Sequence, residues 1–217
     1  ARGSPRLRET QSILGGVYKE MIDLKGKPFY LSDEDISWVE ETIGSMSLEE
    51  KIGQLFCPVG FTKDKELLKP LLEKNIAGIM YRSGPAAEIQ ETQRWLQENS
   101  RIPLLLPANL EAGGTGSVEE GTNFGKPLQA AATDDGMEGY HLGKISCTEG
   151  AAAGINWSFA PIVDIDNNWR NPITNLRTFG NDPARVLRFA SGYLKGAAEA
   201  GVAVSIKHFP GDGVDER

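Results

Sequence analysis

Histidine and cysteine are both scarce in this chain of 217 residues, two of each. Cys57 and Cys147 lie far apart in apolar surroundings, which leaves no disulfide framework and reads as two buried free thiols. That usage favours a reducing compartment, so a cytoplasmic location is expected, with a secreted form whose signal has been removed as the alternative. His141 falls mid-helix between Gly139 and Gly143, and without it no two-histidine metal site can be built. No metal and no cofactor are expected. Long apolar runs are also missing, and none approaches the ~18 residues of a membrane span. There is no surplus of positive charge either. The net charge of -7 argues against nucleic acid or an anionic membrane as partner, since both call for clustered Lys and Arg. No apolar segment follows the basic residues Arg2 and Arg6, so the N-terminus is not an intact signal peptide.

Several familiar motifs fail on inspection. Gly113-Gly114-Thr115-Gly116 does not satisfy a dinucleotide fingerprint, and no Gly-Lys-Ser/Thr ending makes a phosphate loop. Ser117 lacks a nucleophile elbow. A calcium loop beginning at Asp164 would need Gly where Trp169 stands and Glu where Asn175 stands. Asn156-Trp157-Ser158 is formally a glycosylation sequon, but it falls in an expected buried strand.

What is present is an alternation of apolar runs and helical patterns in a chain long enough to bury a full core. A helix is expected from Asp33 to about Gly44, with Ile36, Val39 and Ile43 at helical spacing. Ser47 and Glu50 form a capping box that opens a short helix through Leu55. Further helices are expected around Leu67–Leu72, Glu88–Asn99 and Asp134–Ala153. Another opens at Asp182-Pro183 and ends at Gly201. Between them lie strands near residues 55, 77, 104, 158 and 204, giving βαβαβαβαβ. Strands apolar throughout belong to parallel sheets covered on both faces.

A doubly wound open sheet and a TIM-like (β/α)8 barrel both fit that order. The barrel is favoured because polar residues follow almost every strand: Arg82, Asn109 and Glu111, Asp164 and Asp166, Lys207 and His208. An open sheet gathers its site at one switch point, whereas a barrel collects residues from many strand ends. A complete barrel needs about 250 residues, so the expectation is an incomplete one, about the first five β/α units. Residues 1–45 read as an N-terminal extension with a helix. Residues 46–217 read as the N-terminal portion of the barrel, ending in the loop after the last strand.

The run from Gly201 to Gly213 is the most informative stretch. An apolar strand delivers Lys207 and His208 to a rim and breaks at once into Phe209-Pro210-Gly211. Lys supplies a donating cation, and His a donor or a proton relay. Arg177 sits on an Asn-, Thr- and Pro-rich loop after a strand, a setting that suits planar recognition of a ligand oxygen. On the residues alone, an ordinary surface Arg is an equal alternative. Asp164 is expected to brace the site through hydrogen bonds. Asp212 and Asp215 are candidates for an acid/base system or simply solvated loop charges.

Taken in series, these segments resemble glycoside hydrolase family 3, in its β-N-acetylglucosaminidase (β-hexosaminidase) branch. The matching pieces are Met46 to Leu55, Ala108 to Gly114, Phe159 to Asp164, Asn175 to Gly180, and Lys207 to Gly213, in the family's order. The resemblance implies a TIM-like barrel that removes terminal N-acetylglucosamine with retention, often from cell-wall fragments. It implies that Lys207, His208, Arg177, Asn109 and Glu111 bind the sugar. Asn109 stands where many relatives carry Asp, and Ala112 is an extra residue before the glycines. It also implies that the acid/base His and the nucleophilic Asp come after Arg217, so no catalytic residue is assigned within the chain. The partners it implies are a carbohydrate and the remaining half of the barrel. A β-glucosidase, a glycoside phosphorylase, or a sugar-binding remnant without activity are the alternatives.

Overall fold

The computed structural model describes residues 22–216. These fall into two compact units, one ending at Leu48 and the next beginning at Glu49. In the first unit, helix α1 (Asp33–Ser45) opens on a reciprocal cap at Ser32. The Asp35 N–H donates to Ser32 Oγ at 3.1 Å, and the Ser32 N–H donates to Asp35 Oδ2 at 3.2 Å. None of its residues is buried, and Ile43 of the expected apolar face is exposed.

A short helix α2 (Leu48–Gly53) leads into the second unit, whose centre is a parallel array. Strands β1 (Pro107–Ala108), β2 (Trp157–Ser158) and β3 (Ala203–Val204) pair in that order, with Pro107 opposite Trp157 and Trp157 opposite Ala203. Parallel bridges extend the array: Val59 to Met80, Gly78 to Leu105, and Ile162 to Lys207. The Met80 N–H donates to the Pro58 carbonyl at 2.9 Å and the Leu105 N–H to the Ala77 carbonyl at 2.8 Å. The extended stretches near residues 59, 79, 106, 158 and 204 therefore neighbour one another in chain order. A doubly wound sheet would reverse direction at a switch point. A barrel wall runs on in one sense, and that is the order found here.

Regular pairing is shorter than the sequence suggests. The expected strands at 103–107 and 156–165 reduce to β1 and to β2 plus the bridge at Ile162. Pro103, Pro107 and Pro161 have no N–H to give to a ladder, and the Leu104 and Leu106 N–H groups go to the side chains of Gln97 and Asn156 at 2.9 and 2.7 Å.

Helices α3 (Lys65–Glu73), α4 (Ala86–Asn99), α5 (Pro127–Ala131), α6 (Met137–Ala152) and α7 (Pro183–Glu199) cover the array. The five-residue α5 was not expected. It forms because Pro127 presets its first turn and the Lys126 N–H donates to Gln129 Oε1 at 2.7 Å. Helix α6 begins at Met137 rather than Asp134 because Asp134 has φ of 56°, outside any right-handed helix. At α7, Asp182 and Pro183 act as the sequence indicates, with the Ala184 N–H donating to Asp182 Oδ1 at 3.0 Å.

Helices α6 and α7 meet backbone to backbone. A Cβ on Gly139 would lie 2.3 Å from the Phe189 carbonyl oxygen, and one on Gly143 2.3 Å from that of Tyr193. Small residues at those points seat Phe189 and Tyr193 in a core with Phe179, Leu142 and Leu110. A second cluster gathers Leu68, Ile79, Ile89, Leu96 and Leu106. Each such side chain taken from water stabilises the fold by about 1.5–3 kcal/mol before entropy is counted. Both thiols are free, but only Cys147 is fully buried; Cys57 is partly exposed, a correction to the sequence reading. Burial pushes both thiols above their ordinary pKa.

Candidate functional site

Parallel strands bring their C-terminal ends to one rim, and five of the expected polar residues follow such ends. Asn109 and Glu111 come after β1, Asp164 after Ile162, and Lys207 and His208 after β3. Arg177 enters from the short 3-10 helix Asn175–Arg177.

Glu111 is the centre of this cluster. Its Oε2 accepts from Arg177 Nε at 2.8 Å, and its Oε1 accepts from Arg177 Nη2 at 2.8 Å and Lys207 Nζ at 2.6 Å. Lys207 Nζ also donates to Asn109 Oδ1 at 3.3 Å. Arg177 Nη1 donates to the Ile173 carbonyl at 2.9 Å, so the guanidinium is fixed from both sides. Burial works against ionisation of Glu111. Hydrogen bonds from Arg177 and Lys207 outweigh it and hold the carboxyl below the usual Glu value. The same bonds to Glu111 raise the Arg177 pKa.

The second half of the cluster is built on Asp164, which is 3% exposed. Its carboxylate receives His208 Nδ1 at 2.7 Å, the His208 N–H at 3.2 Å and the Asp212 N–H at 2.8 Å. Opposite a carboxylate, Nδ1 carries the proton, so the neutral ring presents Nε2 as an acceptor. The peptide bond between Lys207 and His208 is cis. Lys207 reaches Glu111 while His208 reaches Asp164.

One residue essential to this geometry was not singled out from sequence. Asn171 Oδ1 accepts from the Ile173 and Thr174 N–H groups at 2.8 and 3.0 Å, and its Nδ2 donates to the Asp212 carbonyl. It thereby ties the Arg177 loop to the loop after His208. An Asn directly before Pro172 in that loop is the available signal, since such side chains commonly close local turns. His141 lies outside the cluster, on the exposed side of α6 beside Glu138. Arg82 is also apart, lining a separate cavity of about 280 Å3 with Phe61 and Ser83. Among the described residues no group of three or more His, Cys, Asp or Glu is arranged to hold a metal ion.

The cluster offers two fixed cations, an amide and an oriented imidazole within one rim, a set suited to several hydroxyls at once. Glu111 and Asp164 are both committed to donors, so neither stands ready as a free nucleophile. Such a rim, at the strand C-terminal ends of a parallel β/α wall, is the face at which a TIM-barrel-like domain gathers its functional side chains.

Residues 47–216 match the family described as the glycosyl hydrolase family 3 N-terminal domain, and the chain belongs to that family. It is 45% identical over 198 residues to a β-N-acetylglucosaminidase/β-glucosidase of Cellulomonas fimi, covering 91% of this chain and 35% of that protein. A solved β-glucoside phosphorylase is also 45% identical, with a TM-score of 0.82 over 89% of this chain and 34% of its own. A family 3 β-N-acetylglucosaminidase from Paenibacillus sp. str. FPU-7 is 31% identical, with a TM-score of 0.68 over 78% of this chain and 34% of its own. The chain thus spans about a third of the length of these relatives.

Proposed function

We propose that the complete polypeptide carrying this chain is a retaining glycoside hydrolase that releases terminal β-linked N-acetylglucosamine. The observation that carries this reading is the Glu111 carboxylate bridging Arg177 and Lys207 beside Asn109, with His208 turned by Asp164 on the same rim. In this reading Lys207, His208, Arg177, Asn109 and Glu111 grip the sugar hydroxyls, and Asp164 braces His208. A carboxylate attacks the anomeric carbon, a proton donor assists the leaving oxygen, and water then hydrolyses the glycosyl-enzyme. The family resemblance assigns the nucleophilic Asp and the acid/base His to positions after Arg217, and the rest of the barrel to the same region.

A second reading, a β-glucosidase or glycoside phosphorylase, is favoured by two comparisons. A β-glucoside phosphorylase and a protein named for both glucosaminide and glucoside are each 45% identical to this chain. The deciding experiment is turnover of 4-nitrophenyl N-acetylglucosaminide against the glucoside, with and without phosphate, by the complete polypeptide. Preference for the glucoside overturns the substrate assignment, and phosphate-dependent turnover overturns hydrolysis. No turnover of either glycoside favours a sugar-binding role without catalysis.

A further inference from the structure

The strand end that carries Asn109 and Glu111 is held from behind the wall. Leu110 lies between them, with its side chain fully buried in the core. Its N–H donates to the Ala108 carbonyl at 3.1 Å, and its own carbonyl accepts from Tyr193 Oη at 2.8 Å. Tyr193 belongs to α7 and is 1% exposed. A phenol has one proton, and the Leu110 carbonyl can only accept, so the proton is committed there. Ser158 Oγ, 2.8 Å from the same oxygen, is then the donor to it, and Cys147 Sγ sits 3.7 Å away. Burial pushes the phenol well above its ordinary pKa, which keeps it a donor. Phe would fill nearly the same space, so packing alone does not call for this hydroxyl.

We propose that Tyr193 is a positioning residue for the sugar site: by fixing the Leu110 carbonyl it sets where Asn109 and Glu111 meet Lys207 and Arg177. The inference rests on the sugar-binding reading of that cluster. Through this bond the outer helix layer reaches the rim.

The test compares Tyr193→Phe with Ser158→Ala in the complete polypeptide, on whichever 4-nitrophenyl glycoside it cleaves. Ser158→Ala removes only the bond that the phenolic oxygen accepts, whereas Tyr193→Phe removes that bond and the one to the Leu110 carbonyl, so only Tyr193→Phe frees that carbonyl. Both should lower the thermal midpoint, Tyr193→Phe by more, because it leaves the buried Leu110 carbonyl and the Ser158 hydroxyl without their partner. For Tyr193→Phe, kcat/KM should fall about tenfold, as a misplaced contact requires, with Ser158→Ala within about twofold of wild type. Combining Tyr193→Phe with Glu111→Gln should cost little more than Glu111→Gln alone, because both act on one contact. Wild-type kcat/KM in Tyr193→Phe, equal losses in the two single variants, or additive losses in the double variant would each overturn the assignment. So would a Tyr193→Phe protein that fails to fold, because the phenol would then be structural. A Lys207→Ala variant with unchanged kcat/KM would instead sink the sugar-site reading, whatever Tyr193→Phe does.

Discussion

Glu111 holds Arg177 in a two-pronged ion pair, both contacts at 2.8 Å, and on the same carboxylate it takes Lys207 at 2.6 Å. Two cations from separate chain segments are thereby drawn to one point, where without the carboxylate they would repel. Glu111→Gln keeps the shape and removes the charge. Hydrogen bonds involving charged groups are worth roughly 1.5–3 kcal/mol. In the complete polypeptide kcat/KM is therefore expected to fall about tenfold to a hundredfold. Steady-state kinetics check this, and an unchanged kcat/KM would remove Glu111 from the site.

The same ion pairs make stability depend on acid. The Glu111 carboxyl titrates below its ordinary value of 4.5 in the folded protein, because bonds from Arg177 and Lys207 outweigh burial. Its contribution is thus complete above about pH 4.5 and is lost as pH falls through the lower folded value. Thermal midpoints taken from pH 7 to pH 3 should drop more steeply for wild type than for Glu111→Gln. Parallel slopes would show that the pair adds nothing to stability.

The parts of this molecule legible in its sequence are those set by local chemistry. The Asp182-Pro183 cap, the apolar runs and the strand-end pair Lys207-His208 all follow from nearest neighbours. What escaped depends on distance. Glu111 meets Arg177 across 66 positions of sequence and Lys207 across 96, and no spacing rule announces either. Tyr193 is one of several buried residues of α7, yet its hydroxyl finds a carbonyl 83 positions away. Strand length is not legible, because an apolar run looks the same whether or not proline withholds the N–H that a ladder needs. The start of α6 is not legible either, because nothing local marks Asp134 as left-handed.

Lys207 and Arg177 should behave alike, and His141 differently. Lys207→Ala and Arg177→Ala each delete charge-assisted hydrogen bonds at the rim. Both should lower kcat/KM about tenfold to a hundredfold, with the folded state retained. His141→Ala, on the exposed side of α6, should leave it nearly unchanged. Equal losses at His141 and Lys207 would count against the placement of the site.

Gly143 tests the contact between α6 and α7. Helix propensity alone would favour Ala there by about 1 kcal/mol. A Cβ at that point would lie 2.3 Å from the Tyr193 carbonyl oxygen, and backbone cannot swing aside as a flexible side chain can. Overpacking of this kind costs about 1–3 kcal/mol. Gly143→Ala should therefore lower the thermal midpoint. Gly44→Ala is the control, since no atom lies within 4 Å of its added Cβ, and it should not lower the midpoint. Equal midpoints for the two variants would mean that the helices part freely.

Residues 1–217 expressed alone should associate rather than behave as a monodisperse monomer. Among the described residues, the stretch at Val59 pairs with the one at Met80, and β3 pairs with β2. Each of these outer stretches shows no strand partner on its other side, leaving N–H and C=O groups open to another chain. Apolar side chains on the array are left open as well: Phe56, Leu105 and Ile206 are 58%, 43% and 52% exposed. Closure of a barrel removes both features, because the last strand pairs with the first and the interior fills with side chains. Size-exclusion chromatography of 1–217 should show larger species and thermal unfolding should be broad, while the complete polypeptide should be monodisperse. A sharp, cooperative monomer of 1–217 would mean that these edges are already covered within the chain.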